Sequence, residues 1–414
     1  MTTLGLSALP PAPGERRRVL VVDDEPGVCY MARRVLESRF DVREAGSGEE
    51  ALRVLEGEAF HLCIVDVRLP GISGLDLLAT IKNLSPECDV IVMTGSAADI
   101  DEALEGAIRR RAFFFLRKPF PMTILETLAS RVAEKQELEE RLARHTRTLE
   151  RNLESARIFQ RSLLPRSPWA GERIRVASHY APSEQLGGDF YDYWPLPDGG
   201  TALLIADVMG HGPLAAMVTG IVKSQLHSLA SEIHDPGEIL YVLEEELRRI
   251  ALPAFLSAFL VIDRPEEGEV AWAGAGHPPA LLRRPGTPAR GPHDPAASLP
   301  ELLISDGMLI NTGLPLQTRR ARTIAREPGA SLLLFTDGYP ESVNRAGVPF
   351  DGGGTDSPPE EIFAPGSPFC AAVAQALAAD PLEDGIRRLE EARNAYADGA
   401  PAEDDRAAVL VRLD

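Results

Sequence analysis

Residues 131–164 contain neither glycine nor proline, and this stretch dictates how the rest of the chain divides. It is rich in Glu and Arg, carries no helix breaker, and repeats its apolar residues at heptad spacing. Leu138, Leu142, Leu149, Ala156, Phe159 and Leu163 fall on alternating steps of four and three, with His145 and Asn152 in the two polar gaps. Such a stripe predicts a long helix that pairs with a second copy as a parallel coiled coil, the polar seam positions fixing register at some cost in stability. The alternative is one amphipathic helix packed on its own chain. Either way the helix separates two bodies. The expected organisation is a flexible Pro-rich tail (1–15), a first domain (16–130), a helical linker (131–165) and a second domain (166–414).

A chain of 414 residues, 44% hydrophobic, is long enough for two or three cores. No apolar run reaches the roughly 18 residues of a membrane span; the longest, Ala251–Ile262, is broken by Pro253 and Ser257. The N-terminus has no basic start followed by an apolar stretch, so no secretory leader is expected. Four cysteines without a CxxC pair exclude a disulfide framework. The expectation is a soluble cytoplasmic protein. A net charge of −19 opposes nucleic-acid binding, and the short basic run Arg109–Arg111 does not reverse it. Proteins and small ions are the better partners.

Between Arg18 and about Ser130, five short apolar runs alternate with helical periodicity: Val19–Val22, Asp41–Ala45, Leu62–Val65, Val90–Met93 and Phe113–Leu116. This predicts a doubly wound α/β domain with a five-stranded parallel sheet. Asp23 and Asp24 follow the first run and Asp66 the third, while Thr94 ends the fourth and Lys118 follows the fifth. With strand order 2-1-3-4-5 these ends share one crevice. Paired acids there suit a hard divalent cation, and a third acid beside a lysine suits a phosphoryl acceptor.

The segments VLVVDDE, IVDVRLPGISGLDLL, VMTGS and FLRKPF resemble the receiver domain of two-component response regulators. The resemblance implies Asp66 as the phosphoacceptor and Mg²⁺ held directly by Asp24, through water by Asp23, and by the backbone carbonyl of Arg68. Thr94 and Phe115 become the switch pair and Lys118 the phosphate-binding cation. The family's usual glycine before the fifth strand is replaced by Arg111.

The region from Ile174 to Leu413 reads as strand-rich, with helices near 213–230 and 236–250 and Pro/Gly-rich surface inserts at 284–300 and 347–369. Acids recur in GGDFYD (Asp189, Asp192), DVMGHG (Asp207), TDG (Asp337) and EDDR (Asp404, Asp405), each beside a strand-like run. Acids brought this close repel one another unless cations lie between them, as in a two-metal hydrolytic site. The order of these motifs, with ARIFQRSLLP, GAGHPPALL and GLPL, resembles the SpoIIE/RsbU-type branch of the PPM serine/threonine phosphatases. That implies an α-β-β-α sandwich and two Mn²⁺ or Mg²⁺ ions held by Asp189, Asp207, Asp337, Asp404 and the carbonyl of Val208. It also implies hydrolysis of phosphoserine or phosphothreonine without a covalent intermediate. Gln317 and Ala407 depart from the family pattern. Asp405 and Asp192 are secondary candidates; His211 and His277, in tight Gly/Pro loops, read as structural rather than as bases.

The resulting expectation is a response regulator with a phosphatase output, phosphorylated by a sensor histidine kinase or phosphotransfer protein. The resemblance implies a phosphoserine substrate on a STAS-type anti-sigma-factor antagonist, and the linker and receiver suggest a homodimer. The rival is a non-catalytic adaptor that binds a regulatory protein; a receiver acting only as a phosphate sink is a third reading. A degenerate adaptor would have lost metal acids, and here all four remain.

Overall fold

The computed structural model describes residues 16–95, 100–210, 212–250, 254–287, 300–304, 306–352 and 367–414, without the side chains of 100, 102 and 103. The N-terminal tail and most of both inserts lie outside the described residues. The chain forms two units, Met1–Leu149 and Glu150–Asp414.

The first unit runs β1 (Arg18–Val22), α1 (Pro26–Leu36), β2 (Asp41–Ala45), α2 (Gly48–Gly57), β3 (Leu62–Asp66), α3 (Gly74–Leu84), β4 (Asp89–Thr94), α4 (Ile100–Arg109), β5 (Phe114–Arg117) and the first turns of α5 (Met122–Leu163). The strands pair in parallel in the order β2-β1-β3-β4-β5, each within one residue of its sequence-based position. Alternate residues feed two cores, because successive side chains of a strand point to opposite faces. Val19, Val21, Ile64, Ile91 and Met93 pack on α1 and α5. Leu20, Val22, Cys63, Val65, Val90 and Val92 pack on α2, α3 and α4. Covering both faces is what lets a parallel sheet be apolar throughout. Ser47 and Ser73 cap α2 and α3, each hydroxyl accepting a backbone N–H at 3.2 Å.

Arg111 keeps the turn that a glycine would make. Its φ is 61°, in the left-handed region. The N–H of Ala112 reaches Ala107 O at 2.9 Å and that of Arg111 reaches Ile108 O at 3.0 Å. This is the Schellman closure of α4, made with a side chain where glycine is cheapest.

In α5, Leu125, Leu128, Ala129 and Val132 are buried in the first unit, whereas Leu138, Leu142 and Leu149 are exposed, each by more than 60%. Gln136 marks the change: its amide donates to His61 O at 2.8 Å and to Asp89 Oδ2 at 2.9 Å.

The second unit contains the end of α5, then β6 (Trp169–Ala170), β7 (Ile174–Ala181), β8 (Asp189–Pro195), β9 (Thr201–Val208), α6 (Pro213–Leu229), α7 (Pro236–Arg249), β10 (Leu256–Arg264), β11 (Glu269–Ala275), β12 (Ala280–Arg283), β13 (Glu301–Leu303), β14 (Arg322–Ala325), β15 (Ser331–Phe335), α8 (Pro368–Leu377), α9 (Leu382–Ala397) and β16 (Arg406–Leu413). Two antiparallel sheets form, ordered β14-β11-β10-β9-β8 and β13-β12-β15-β16-β7-β6. Their facing residues, among them Tyr191, Leu203, Ile205, Phe259, Leu332, Leu334, Val409 and Val411, make the central core. The opposite parity of the first sheet packs on α6 and α7, and that of the second on α8 and α9. The result is the α-β-β-α sandwich.

Two helices correct the sequence reading. The insert placed at 347–369 ends inside α8, whose start is capped by Ser367 Oγ accepting from Cys370 N at 3.1 Å. Both α8 and α9 lie in a region read as strand-rich. Ser-Pro before an alanine-rich run was the helix-start signal there.

Candidate functional site

Two acidic centres occur, one in each unit. In the first, β1 and β3 lie side by side, so Asp23, Asp24 and Asp66 leave the sheet at the same edge. One carboxylate oxygen from each lies within 4.8 Å of the other two, a spacing one divalent cation can bridge. Asp23 is buried and Asp24 exposed. Lys118 follows β5 and donates to Asp23 Oδ2 at 2.6 Å and to Asp66 Oδ2 at 2.8 Å. Burial raises the Asp66 carboxyl above the usual range, against the pull of Lys118. Burial depresses the Lys118 ammonium, but its two carboxylate partners more than offset that. Arg68 N donates to Asp66 Oδ1 at 3.4 Å. Thr94 is buried at the end of β4, and Phe115 is half-buried one strand over, in the α2–α4 core. Asp23, Asp24, Lys118 and the Arg68 backbone thus come together with Asp66.

The second centre follows from strand parity. On β8 and β9 the residues facing the other sheet are Tyr191 and Tyr193, and Leu203 and Ile205. Stepping by two to the strand ends gives Asp189 and Asp207, which are direct cross-strand partners. On the opposing sheet the same step gives Thr336 after β15 and Asp405 before β16. Thr336 Oγ1 donates to Asp189 Oδ2 at 2.6 Å and accepts from Ala407 N at 2.9 Å. Asp337 follows Thr336. Asp405 is buried and accepts from Ser183 N at 2.7 Å, Ser183 Oγ at 2.9 Å and Gly188 N at 2.6 Å. Asp404 beside it is exposed. Gly188 and Gly338 permit this convergence: an added Cβ would lie 2.2 Å from Val208 O at Gly188 and 1.9 Å from Asp405 O at Gly338.

Electrostatics show what the centre lacks. Burial, then Asp207, holds the Asp189 carboxyl well above the carboxylate range. Burial, then Asp337, Asp404 and Asp405, pushes Asp207 up to about 7. Asp337 is raised by burial and by Asp404. Glu341, absent from the sequence-based site, is pushed up to about 7 by burial and by Asp337, Asp404 and Asp351. Among the described residues no lysine or arginine forms an ion pair with Asp189, Asp207 or Asp337. Buried acids with shared charge and no basic partner fit bound cations. Among the described residues, no three of these acids are as tightly grouped as the first centre's trio.

The secondary candidates separate. Asp192 has the other parity, faces α6 and is held by His227 Nε2 at 2.6 Å and Lys223 Nζ at 2.9 Å; it is an anchor away from the centre. His277 is buried, bonded through Nδ1 to Ser257 Oγ at 2.6 Å, and desolvation lowers it to about 3, so it stays neutral. His211 lies outside the described residues. Gln160, near the end of α5, was not singled out by sequence. It is buried, donates to Gly187 O at 2.6 Å and accepts from Gly187 N at 3.3 Å, fixing the segment that leads to Asp189.

Comparison with known proteins assigns both units. The model of the response regulator receiver domain matches residues 19–130, and that of stage II sporulation protein E (SpoIIE) matches residues 197–414, more than half of the chain. The chain belongs to the SpoIIE family. It carries a receiver domain ahead of a PPM-type phosphatase domain. Response regulator protein PilR of Pseudomonas aeruginosa is 36% identical over 116 residues, 28% of this chain and 26% of PilR. Phosphoserine phosphatase RsbP of Bacillus subtilis is 28% identical over 137 residues, 32% of this chain and 34% of RsbP. These matches thus span about a quarter to a third of the relatives' own lengths. The SiaA-PP2C domain of Pseudomonas aeruginosa shares the fold, with a TM-score of 0.52 at 21% identity over 66% of this chain and 99% of that domain. Among the described residues, no helix is long and apolar enough to cross a membrane.

Proposed function

We propose that this chain is a response regulator whose phosphorylation at Asp66 controls a metal-dependent protein serine/threonine phosphatase. The observation that carries the reading is the meeting of Asp189, Asp207, Asp337 and Asp404 at one end of the two sheets, with burial and mutual repulsion raising the first three, none of which has a lysine or arginine ion-pair partner among the described residues. Asp189, Asp207, Asp337, Asp404 and the Val208 carbonyl would hold two Mn²⁺ or Mg²⁺ ions, and Asp23, Asp24, Asp66 and the Arg68 carbonyl one Mg²⁺. When bound, such ions polarise phosphoryl oxygens and acidify water. The protein's own part is positioning: Thr336 orients Asp189, Asp405 holds Gly188, and Gln160 holds Gly187. In the receiver, an Asp66 oxygen attacks the donor's phosphorus as the donor bond breaks, and Lys118 offsets the charge on the acquired phosphoryl group.

The substrate we infer is a phosphoserine on a STAS-type anti-sigma-factor antagonist. The name of the RsbP relative, a phosphoserine phosphatase, supports the phosphoserine. A sensor histidine kinase or phosphotransfer protein would load Asp66, and the α5 stripe would pair two copies. The test measures phosphate release from such a phosphoprotein with Mn²⁺, with and without acetyl phosphate. Asp207→Asn and Asp337→Asn should each abolish release, and Asp66→Asn should remove only the response to acetyl phosphate. Full activity in both metal-site variants at equal Mn²⁺ would refute the assignment.

A further inference from the structure

A groove of about 750 Å³ runs between the last turns of α5 and the loop after β7, lined by Glu150, Glu154, Arg157, Arg161, Tyr180 and Glu184 among others. Tyr180, in its lining, brings the groove close to the second acidic centre: a Cβ added at Gly187 would lie 2.5 Å from the Tyr180 hydroxyl and 2.4 Å from Asp405 Oδ2, so these two groups are neighbours. Gln160 fixes Gly187 to α5 through both polar groups of the Gly187 backbone, and the Tyr180 hydroxyl lies 3.4 Å from Gln160 Oε1. Arg161 is the next residue along. Its side chain is exposed and makes none of the hydrogen bonds or ion pairs found among the described residues, though its charge acts on Glu154 and Tyr180. Arg157, one turn earlier, is held on both sides by Glu154 at 2.8 Å. Burial, then Asp405 and Asp189, raises the Tyr180 hydroxyl, and the positive charge of Arg161 pulls it down.

Charge explains why a free arginine matters there. Two divalent ions would offset only four of the five negative charges on Asp189, Asp207, Asp337, Asp404 and Asp405. A phosphoryl dianion would then approach a centre without net positive charge. Other nearby cations are not free in solvent: Lys223 and His227 hold Asp192 on the far side of the sheet, and Arg406 is buried, its Nε and Nη1 without a hydrogen-bond partner among the described residues. We propose that Arg161 is a substrate-binding residue whose guanidinium receives the phosphoryl dianion of the phosphoprotein, while the groove seats the chain beside the phosphoserine. This rests on the phosphatase reading above. A guanidinium suits the role because its planar fork pairs with two phosphoryl oxygens at once.

The experiment is steady-state kinetics of the full chain with Mn²⁺, a phosphoserine peptide as substrate and inorganic phosphate as competitive inhibitor. Arg161→Gln should raise KM for the peptide and the inhibition constant of phosphate together, each by about tenfold. The Mn²⁺ concentration for half-maximal activity should shift by less than about twofold, and Arg161→Lys should recover part of both losses. KM and the inhibition constant both within about twofold of wild type would overturn the proposal. A rise in KM alone would also overturn it, because the charge would then act on the peptide and not on its phosphoryl group. A wild-type chain that releases no phosphate would refute the phosphatase reading itself, and this inference with it, an outcome distinct from any difference between variants.

Discussion

Asp404 and Asp405 adjoin in sequence and differ in surroundings. Asp404 is exposed at the mouth of the acidic centre, whereas Asp405 is buried and accepts three hydrogen bonds from Ser183 and Gly188. Hydrogen bonds to a charged acceptor contribute about 1.5–3 kcal/mol each, and a buried donor left unpaired costs about 1–3 kcal/mol. Asp405→Ala should therefore lower stability by at least about 3 kcal/mol, read as a shifted urea midpoint. Asp207→Asn should do the reverse in metal-free protein at pH 8, raising the melting temperature by removing a repelled charge, while abolishing activity. Equal effects of the two variants on the metal-free fold would contradict this division into scaffold and ligand.

At the scale of elements, the closing turn of α4 and the stripe of α5 both place side chains where the isolated chain gains nothing. Arg111 pays conformational strain at φ 61°, and L-residues in that region cost roughly 1–2 kcal/mol relative to glycine. Arg111→Gly should stabilise the receiver by about 0.5–1 kcal/mol, the remainder being offset by glycine's greater freedom in the unfolded chain. Thermal melts of the two proteins decide this. In α5, Leu138, Leu142 and Leu149 stay exposed on a helix with no seam partner among the described residues. Fully covering one leucine is worth about 1.5–3 kcal/mol, so three in register give a second copy ample reason to dock. Sedimentation of the full chain should show a dimer that Leu142→Asp with Leu149→Asp dissociates. Asn152→Leu should keep the dimer but blunt the dependence of activity on phosphorylation, by relaxing register. A monomeric wild type at high concentration would rule out the coiled-coil arrangement.

For the whole molecule, the raised carboxyls tie stability to pH and to metal. Asp207 has its folded pKa near 7, above the ordinary 3.8, so the folded state binds the extra proton between those values. Stability then falls as pH rises through that window, because the unfolded chain releases the proton first. In EDTA, the melting temperature of the phosphatase unit should decrease from pH 5 to pH 8. Saturating Mn²⁺ should raise it most at pH 8, where the carboxylates are already ionised, and so flatten the profile. An unchanged slope with and without Mn²⁺ would show that these acids do not hold the ion.

The receiver was legible almost residue by residue. Its strands are short apolar runs buried on both faces, and in a doubly wound sheet the strand ends must share one crevice, so Asp23, Asp66 and Lys118 could be brought together from spacing alone. The acids of the phosphatase unit were legible as motifs, but their spacing alone did not sort their roles, which only the family resemblance suggested. Asp189 and Asp192 both lie on β8, and only the pairing of two sheets decides that one faces the centre and the other α6. Asp404 and Asp405 look interchangeable until Ser183 and Gly188, more than 200 positions away, choose one of them. Gln160 and Arg161 are likewise ordinary helix residues until the end of α5 meets Gly187. Local periodicity fixes which residues a strand or helix can present; contacts between distant segments select, among those presented, the ones that carry chemistry.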